Sequence, residues 1–259
     1  MRLPTLFLSH GSPMHAVQRA DASAVWSAVA RELPRPQAVL VASAHWETSM
    51  PMLTGSAQPE TIHDFGGFPA ELYQIRYPAP GAPELAARAA SLLKNAGITA
   101  GIDGCRGLDH GTWVPLRWMF PDADIPVAQI AIQPQRGAEH HLALGAALAP
   151  LRDQGVLVLG SGHVTHNLRD WMAQRGTAAP LAYARDFTEW LATHVTQGDI
   201  DAVLGYRDHA PGAARAHPTD EHFLPLFVAW GAAGDHVRGE RIYAGYEGSA
   251  LAMDAYLFR

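Results

Sequence analysis

The sequence predicts an α/β fold in which helices cover a central β-sheet. Short apolar runs rich in β-branched residues alternate along the chain with longer segments of helical period, a pattern typical of a layered α/β sheet. The strand-like runs are continuously apolar, so we expect both faces of the sheet to be buried. A composition of 48% hydrophobic and 17% charged residues supplies enough apolar side chains for such a core.

Five runs are predicted as strands, together with one weaker run. They are residues 5–9, 38–43, 127–132, 156–160 and 242–246, and the weaker run is 98–102. Five segments carry helical spacing, several of them with Asp or Pro at the start. They are residues 22–32, 83–95, 138–152, 181–195 and 220–230. Segment 50–83 contains Gly66, Gly67 and, from Pro51 to Pro80, five prolines, which predicts a long shaped loop of a kind that is often functional.

Length and charge limit the class of protein. A chain of 259 residues is within the range of one α/β domain, and no repeat or linker divides it, so we expect a single domain over residues 1–259. The formal net charge of −6 without a long basic run argues against a nucleic-acid partner, because binding to phosphates depends on clustered Lys and Arg.

Cysteine usage and hydropathy bear on the compartment. The single cysteine, Cys105, cannot form an internal disulfide, which fits a reducing compartment. The apolar run at residues 3–8 is too short for a signal peptide, and no 18-residue apolar stretch occurs elsewhere. We therefore expect a cytoplasmic protein without a membrane partner. The sequence does not indicate an oligomeric state.

Histidines follow three of the predicted strands. His10 follows residues 6–9, His45 follows residues 39–44, and both His163 and His166 follow the strand that begins at Val156. In open α/β sheets ligands bind at the carboxyl edge of the strands, and glycines at these turns allow a close approach of the backbone. A lone histidine is more often structural, but three strands delivering imidazoles to one edge predict a shared divalent metal.

A further candidate is His222 in the segment Pro218-Thr219-Asp220-Glu221-His222. Thr219 is a plausible N-cap, so the pattern predicts that His222 lies early on a helix. On this evidence alone, a polar residue near a helix start and a ligand brought in from outside the sheet are equally good interpretations.

Several motifs in order resemble the DOPA-dioxygenase group of class III extradiol ring-cleavage dioxygenases, over nearly the whole chain. The matching segments are Ser9-His10-Gly11-Ser12-Pro13-Met14, Ser43-Ala44-His45-Trp46, Thr61-Ile62-His63-Asp64-Phe65-Gly66-Gly67-Phe68-Pro69, Tyr77-Pro78-Ala79-Pro80-Gly81, Asp109-His110-Gly111, His166-Asn167-Leu168 and Pro218-Thr219-Asp220-Glu221-His222. The resemblance implies a three-layer α/β/α fold with a mixed, mainly parallel central sheet. It also implies a mononuclear metal, and a catechol such as DOPA that is opened with dioxygen to a semialdehyde product.

The resemblance also implies roles for individual residues. His10, His45 and His222 match the metal-ligand positions of the family. His166 matches the catalytic acid/base of iron enzymes in the wider class and a further ligand in zinc-containing relatives. His110 resembles a second active-site histidine near the substrate or dioxygen. A neutral imidazole, with a pKa of about 6.5, suits the removal of a catechol proton.

The ligand set leaves the metal open between Zn²⁺ and Fe²⁺. Non-haem iron oxygenases usually supply two histidines and a carboxylate, whereas His10, His45 and His222 supply three neutral nitrogens. Imidazole also suits zinc, which has no redox chemistry. Glu47 and Glu221 are the nearest carboxylates in sequence, and neither is favoured as a ligand. Neighbours on a helix point about 100° apart, which argues against Glu221 and His222 facing the same metal.

Two other functions would use the same histidines, and a third would use a serine. A zinc-dependent hydrolase would use the same histidines to activate a bound water, and a non-enzymatic metal-binding protein is a weaker alternative because the histidines are dispersed. A serine hydrolase on Ser12 or Ser161 is disfavoured, since Leu159-Gly160-Ser161-Gly162-His163 does not match Gly-x-Ser-x-Gly.

The remaining histidines and aromatic residues receive simpler interpretations. His163 is expected outside the metal ligands, as a donor to one of them, and His63 is expected to line the pocket. His209 and His217 are expected to be solvated or to support the ligands. Surface positions are expected for His15, His140, His141, His194 and His236. Trp46, Phe65, Phe68 and Trp113 either shape an aromatic-binding pocket or, more simply, belong to the core.

Overall fold

A mixed β-sheet forms the centre of the structure, a computed structural model that describes residues 2–174, 176–177 and 179–259. The strands of this sheet are β1 (Thr5–Ser9), β2 (Ala38–Glu47), β3 (Met52–Thr54), β4 (Gly101–Asp103), β5 (Val127–Ile132), β6 (Val156–Gly162), β7 (Gly239–Tyr243) and β10 (Ala255–Phe258), and β8 (Tyr246–Glu247) and β9 (Leu251–Ala252) form a separate antiparallel pair. The order in the large sheet is β4-β3-β5-β2-β6-β1-β10-β7.

Parallel pairs occupy the middle of the sheet. β2 pairs in parallel with β5 and β6, and β1 with β6. β3 and β4 are also parallel, whereas β3–β5, β1–β10 and β10–β7 are antiparallel. Since β2, β6 and β1 are parallel neighbours, their carboxyl ends meet at one edge.

Helices cover both faces of this sheet. They are α1 (Asp21–Glu32), α2 (Pro83–Asn95), α3 (His110–Met119), α4 (Gly137–Leu148), α5 (Leu168–Ala173), α6 (Ala182–Gln197), α7 (Ile200–Leu204), α8 (Tyr206–His209), α9 (Ala213–Ala216) and α10 (Leu224–Ala233). In β2, Val39 and Val41 pack with α1 and α3, whereas Leu40 packs with α2, α4 and α10 on the other face. The three-layer α/β/α fold with a mixed sheet is therefore confirmed, and so is burial on both faces.

Several predicted elements have the predicted bounds, and others differ. The strands at 5–9 and 127–132 and the helix at 83–95 are confirmed, and β2 and β6 extend beyond their predicted ends. The single strand predicted at 242–246 is only partly confirmed, because residues 242–243 end β7 and residue 246 begins β8. Two strands were not predicted: β10, whose four residues are wholly buried, and β3, which lies in the segment predicted as loop.

Two helices differ from prediction for identifiable reasons. α3 was missed because it contains Gly111 and an internal Pro115, both poor residues for a helix interior. Its start is fixed by the Asp109 side chain, which accepts a hydrogen bond from the Thr112 N–H at 3.2 Å. The helix predicted from Asp220 begins at Leu224, directly before Pro225, because proline fits the first turn of a helix. Among the described residues, each helix is too short or too polar to cross a membrane.

Candidate metal centre and substrate cavity

Histidines from three strands meet at the carboxyl edge of the parallel strands. His10 follows β1, and its N–H donates to the Gly162 carbonyl of the neighbouring β6 at 3.0 Å. His45 lies near the end of β2, where the pairing with β5 shifts register. His163 and His166 follow β6.

His222 reaches the same edge from the segment before α10. Its carbonyl accepts the His163 N–H at 2.7 Å, so the segment lies directly against the end of β6. Gly162 makes this approach possible, because a Cβ at that position would lie 2.0 Å from the His222 carbonyl oxygen. The prediction that His222 lies on a helix is therefore wrong, since the helix begins two residues later.

Hydrogen-bond partners determine which ring nitrogen of His10 carries the proton. Its Nδ1 lies 3.0 Å from the Ser161 hydroxyl, and that hydroxyl donates its own proton to the Gly111 carbonyl. Ser161 can therefore only accept from His10, which places the His10 proton on Nδ1 and leaves Nε2 with a free lone pair. The same bond to Gly111 occupies the hydroxyl proton that a serine nucleophile would have to give to a base.

Carboxylates place the proton on Nδ1 of the other two rings, those of His45 and His222. Nδ1 of His45 lies 3.3 Å from Asp64, and Nδ1 of His222 lies 2.9 Å from Glu221. A carboxylate only accepts, so each ring carries its proton on Nδ1 and keeps the Nε2 lone pair. The helical geometry expected for Glu221 and His222 is wrong, because both residues precede the helix. The Glu221 carboxylate lies at Nδ1 of His222, not at the Nε2 that is free for a metal.

The three free lone pairs converge without a proton between them. Nε2 of His10 and Nε2 of His45 are 3.0 Å apart, and with the assigned protons this close contact is between two acceptors. Nε2 of His222 is buried and finds no hydrogen-bond partner among the described residues. The ligand atoms of these three residues lie within 4.8 Å of one another. A cation between them would satisfy all three nitrogens, so the donor set fits a divalent metal.

The histidines are held in the neutral form that metal binding requires. Burial lowers the pKa of His10, His45 and His222 well below the ordinary value, and neighbouring histidines lower each of them further. Burial, followed by the charge of His110, lowers the pKa of His166 to about 4. These imidazoles are therefore neutral at pH 7.

His166 and His110 each lie against a different member of this group. The ring of His166 stacks on His222 with centroids 3.4 Å apart, and the centroid of His110 is 3.9 Å from that of His45. The ligand atoms of His166, Glu221 and His222 also lie within 4.8 Å of one another. This proximity is compatible with either interpretation of His166, as a base beside the metal or as a further ligand.

Asp64 joins His45 to His110, and the sequence analysis did not single it out. One of its oxygens lies 3.0 Å from His110 Nδ1 and 3.3 Å from His45 Nδ1, and the other accepts the His110 backbone N–H at 2.9 Å. Burial by itself would raise the pKa of Asp64, but the hydrogen bond and charge of His110 lower it to about 2. Its place directly after His63 in the Gly-rich motif was the available signal.

A cavity of about 490 Å³ opens in front of these histidines, a size suited to a small molecule. Its wall includes Phe65, Phe68 and Trp171. Of the four aromatic residues considered from the sequence, Phe65 and Phe68 thus line the cavity, whereas Trp113 and Trp46 are buried.

Other histidines lie elsewhere than the sequence suggested. His63 does not line the cavity and instead contacts the Ile75 carbonyl at 3.0 Å. His163 accepts the Gly11 N–H at Nε2, so in this contact it is an acceptor rather than the predicted donor. His15 and His141, predicted at the surface, are buried, and His217 is buried rather than solvated. Each fills space inside the fold, which a single sequence cannot indicate.

Comparison with known proteins gives a family match over almost the whole chain. Residues 4–253 match the family described as the catalytic LigB subunit of aromatic ring-opening dioxygenase. A 4,5-DOPA dioxygenase extradiol of Beta vulgaris is 45% identical over 258 residues, which cover 98% of this chain and 96% of the relative. A protein of that name from Escherichia coli strain K12 is 43% identical over 234 residues, covering 89% and 85%.

A solved structure has the same fold. The crystal structure of the uncharacterized protein JW3007 from Escherichia coli K12 aligns with a TM-score of 0.85 and 36% sequence identity, covering 100% of both chains.

Proposed function

Because this chain belongs to the family of catalytic LigB subunits of aromatic ring-opening dioxygenases, we propose that it opens the ring of a catechol such as DOPA. Both atoms of dioxygen enter the product, an open-chain semialdehyde. The convergence of three unprotonated Nε2 atoms on one point beside an aromatic-walled cavity is the observation that carries the proposal. The 4,5-DOPA dioxygenases among the relatives support the choice of substrate.

We assign the metal to His10, His45 and His222. Each presents Nε2 and has Nδ1 held by Ser161, Asp64 and Glu221 respectively, the arrangement by which proteins orient histidine ligands. A ferrous ion held there would pass electrons from the catechol to dioxygen, whereas zinc has no such redox chemistry.

The residues around the metal have separate tasks. His166, neutral at pH 7 and lining the cavity, accepts a proton from a catechol hydroxyl and returns it later in the reaction. His110 also lines the cavity, and Asp64 holds it beside the reacting part of the substrate. Phe65 and Phe68 provide apolar faces that bind the aromatic ring and exclude water.

The test is oxygen consumption by protein stripped of metal and reloaded anaerobically with Fe²⁺, then mixed with aerated DOPA. We expect uptake of one dioxygen per DOPA with a yellow product from the iron form, and none from a zinc-loaded control. Absence of uptake from protein that holds one iron per chain would contradict ring opening of DOPA. Hydrolytic activity of the zinc form without oxygen would favour the zinc-dependent hydrolase instead.

A further inference from the structure

Glu247 places a carboxylate at the wall of the cavity, outside the set of proposed metal ligands. It ends the short strand β8 and lines the cavity, with 20% of its side chain exposed. Its Oε2 accepts the Ser12 N–H at 2.8 Å and lies 3.1 Å from Nε2 of His15. The carboxylate is therefore fixed in position rather than free to turn into solvent.

The contact with Ser12 keeps Glu247 near the proposed metal ligands. Ser12 is two residues after His10, and two residues of chain span at most roughly 7 Å. Glu247 is also close enough to His166 for its charge to oppose the lowering of the His166 pKa. His15 is not part of the cavity wall, so a ligand in the cavity meets the carboxylate first.

This carboxylate is negatively charged at neutral pH. Burial by itself would raise the pKa of Glu247, but the hydrogen bond and charge of His15 and the hydrogen bonds from Ser12 outweigh it and lower the pKa. A partly buried anion gains most from a ligand group that donates hydrogen bonds and carries a positive charge.

Other charged groups of the wall do not compete for that role. Asp64 also lines the cavity, but both of its oxygens already contact His45 or His110. Among the described residues of the wall there is no Lys or Arg. A carboxylate on a substrate would therefore meet Glu247 without a cationic side chain from these residues to offset the repulsion, whereas an ammonium group would be attracted.

We infer that Glu247 binds a cationic amine on the side chain of the catechol, so that the site selects catechol amines and amino acids over catechol carboxylates. The inference rests on the proposed function for the placement of the ring. Phe68 and Trp171, which also line the cavity, offer aromatic faces to the same ammonium.

The experiment measures binding without turnover. Dissociation constants of dopamine, 4-ethylcatechol and 3-(3,4-dihydroxyphenyl)propionate are determined by calorimetry under argon, for zinc-loaded wild-type and Glu247→Gln proteins. Wild-type protein should bind dopamine roughly tenfold or more tightly than 4-ethylcatechol, and the propionate more weakly than both. Glu247→Gln should weaken dopamine binding roughly tenfold and leave 4-ethylcatechol within about threefold.

A matched control is Glu240→Gln in β7. Glu240 is 64% exposed and its carboxylate is 3.9 Å from Arg259, so we expect all three dissociation constants to stay as in the wild type. An equal loss for all three ligands in Glu247→Gln would overturn the inference, because Glu247 would then only hold Ser12 and His15. Equal affinity of the wild type for dopamine and 4-ethylcatechol would overturn it too.

The proposed function is tested by a separate measurement. Iron-loaded wild-type protein is tested for oxygen uptake with the same catechols and with DOPA. If dopamine binds preferentially but no oxygen is consumed, the ammonium site is supported and ring opening is contradicted. If oxygen is consumed but dopamine and 4-ethylcatechol bind equally, ring opening is supported and the ammonium site is contradicted.

Discussion

Two buried histidines, His141 and His222, differ in how many of their ring nitrogens have hydrogen-bond partners. Near the start of α4, His141 is wholly buried, Nδ1 donates to the Gly137 carbonyl at 2.6 Å, and Nε2 accepts the Gln133 N–H at 3.0 Å. At the sheet edge His222 is almost as buried, but in the part of the chain that the structure describes only its Nδ1 has a hydrogen-bond partner. Burial alone therefore does not identify a ligand. A lone pair that is left over, and that points at other free lone pairs, does.

The largest expected effect that would break this comparison is loss of metal. We expect His10→Ala, His45→Ala and His222→Ala to retain less than roughly a tenth of the wild-type metal after gel filtration, since the lone pairs that hold it are removed. The measurement is metal content per chain by plasma mass spectrometry.

The control for metal loss is His141→Ala, which removes a histidine of equal burial. We expect this variant to keep its metal while losing about 1–3 kcal/mol of unfolding free energy, because two hydrogen-bond partners are left unpaired. Full metal content in His222→Ala, or depletion in folded His141→Ala, would show that the comparison is wrong.

A smaller effect sharpens the comparison at His166, which stacks on His222. Its role is either that of a base beside the metal or that of a further ligand. Replacement by Ala should spare most of the metal and lower turnover of the iron form by about 10²-fold or more, as expected on loss of a general base. Turnover and metal content are measured on the same sample. Metal loss comparable to that of His222→Ala would instead make His166 a ligand.

The smallest effect concerns the dependence of stability on pH. Burial lowers the pKa of His141 to about 4, and the Gly137 hydrogen bond only partly offsets this, whereas an unfolded histidine has a pKa of about 6.5. The unfolded chain therefore binds the extra proton first, and this contribution to stability is present above pH 6.5 and lost as the pH falls toward 4. Between pH 7.5 and 5 the loss is about 2 kcal/mol.

The pH effect is measured by urea unfolding of metal-free protein at several pH values, for the wild type and His141→Gln. The fall in unfolding free energy between pH 7.5 and 5 should be about 2 kcal/mol smaller in the variant, whatever its absolute stability. Parallel curves for the two proteins would mean that His141 is not the buried neutral group described here.

Much of the site could be anticipated because its histidines follow strands. His10, His45, His163 and His166 are each marked by a preceding apolar run, and parallel strands bring their ends to one edge. His222 had no such mark, and the helix predicted around it begins two residues later. Only the family resemblance indicated its role.

Glu221 shows how an incorrect local element hides a contact. A helix was predicted to include Glu221 and His222, but in the turn before α10 the Glu221 carboxylate lies 2.9 Å from His222 Nδ1 and orients the ring. β10 was missed for a different reason, because its four residues are too few for a reliable periodic pattern.

The sequence by itself determined the α/β/α layering, the position of the central strands, the family and the histidines that the strands carry to one edge. Only the tertiary structure decided which nitrogen of each ring is free, because the deciding partners come from remote segments. Ser161 is 151 residues from His10, and Glu247 is 235 residues from the Ser12 amide that fixes it. A hydrogen bond depends on distance and direction in space, so contacts at such separations exist only once the chain has folded.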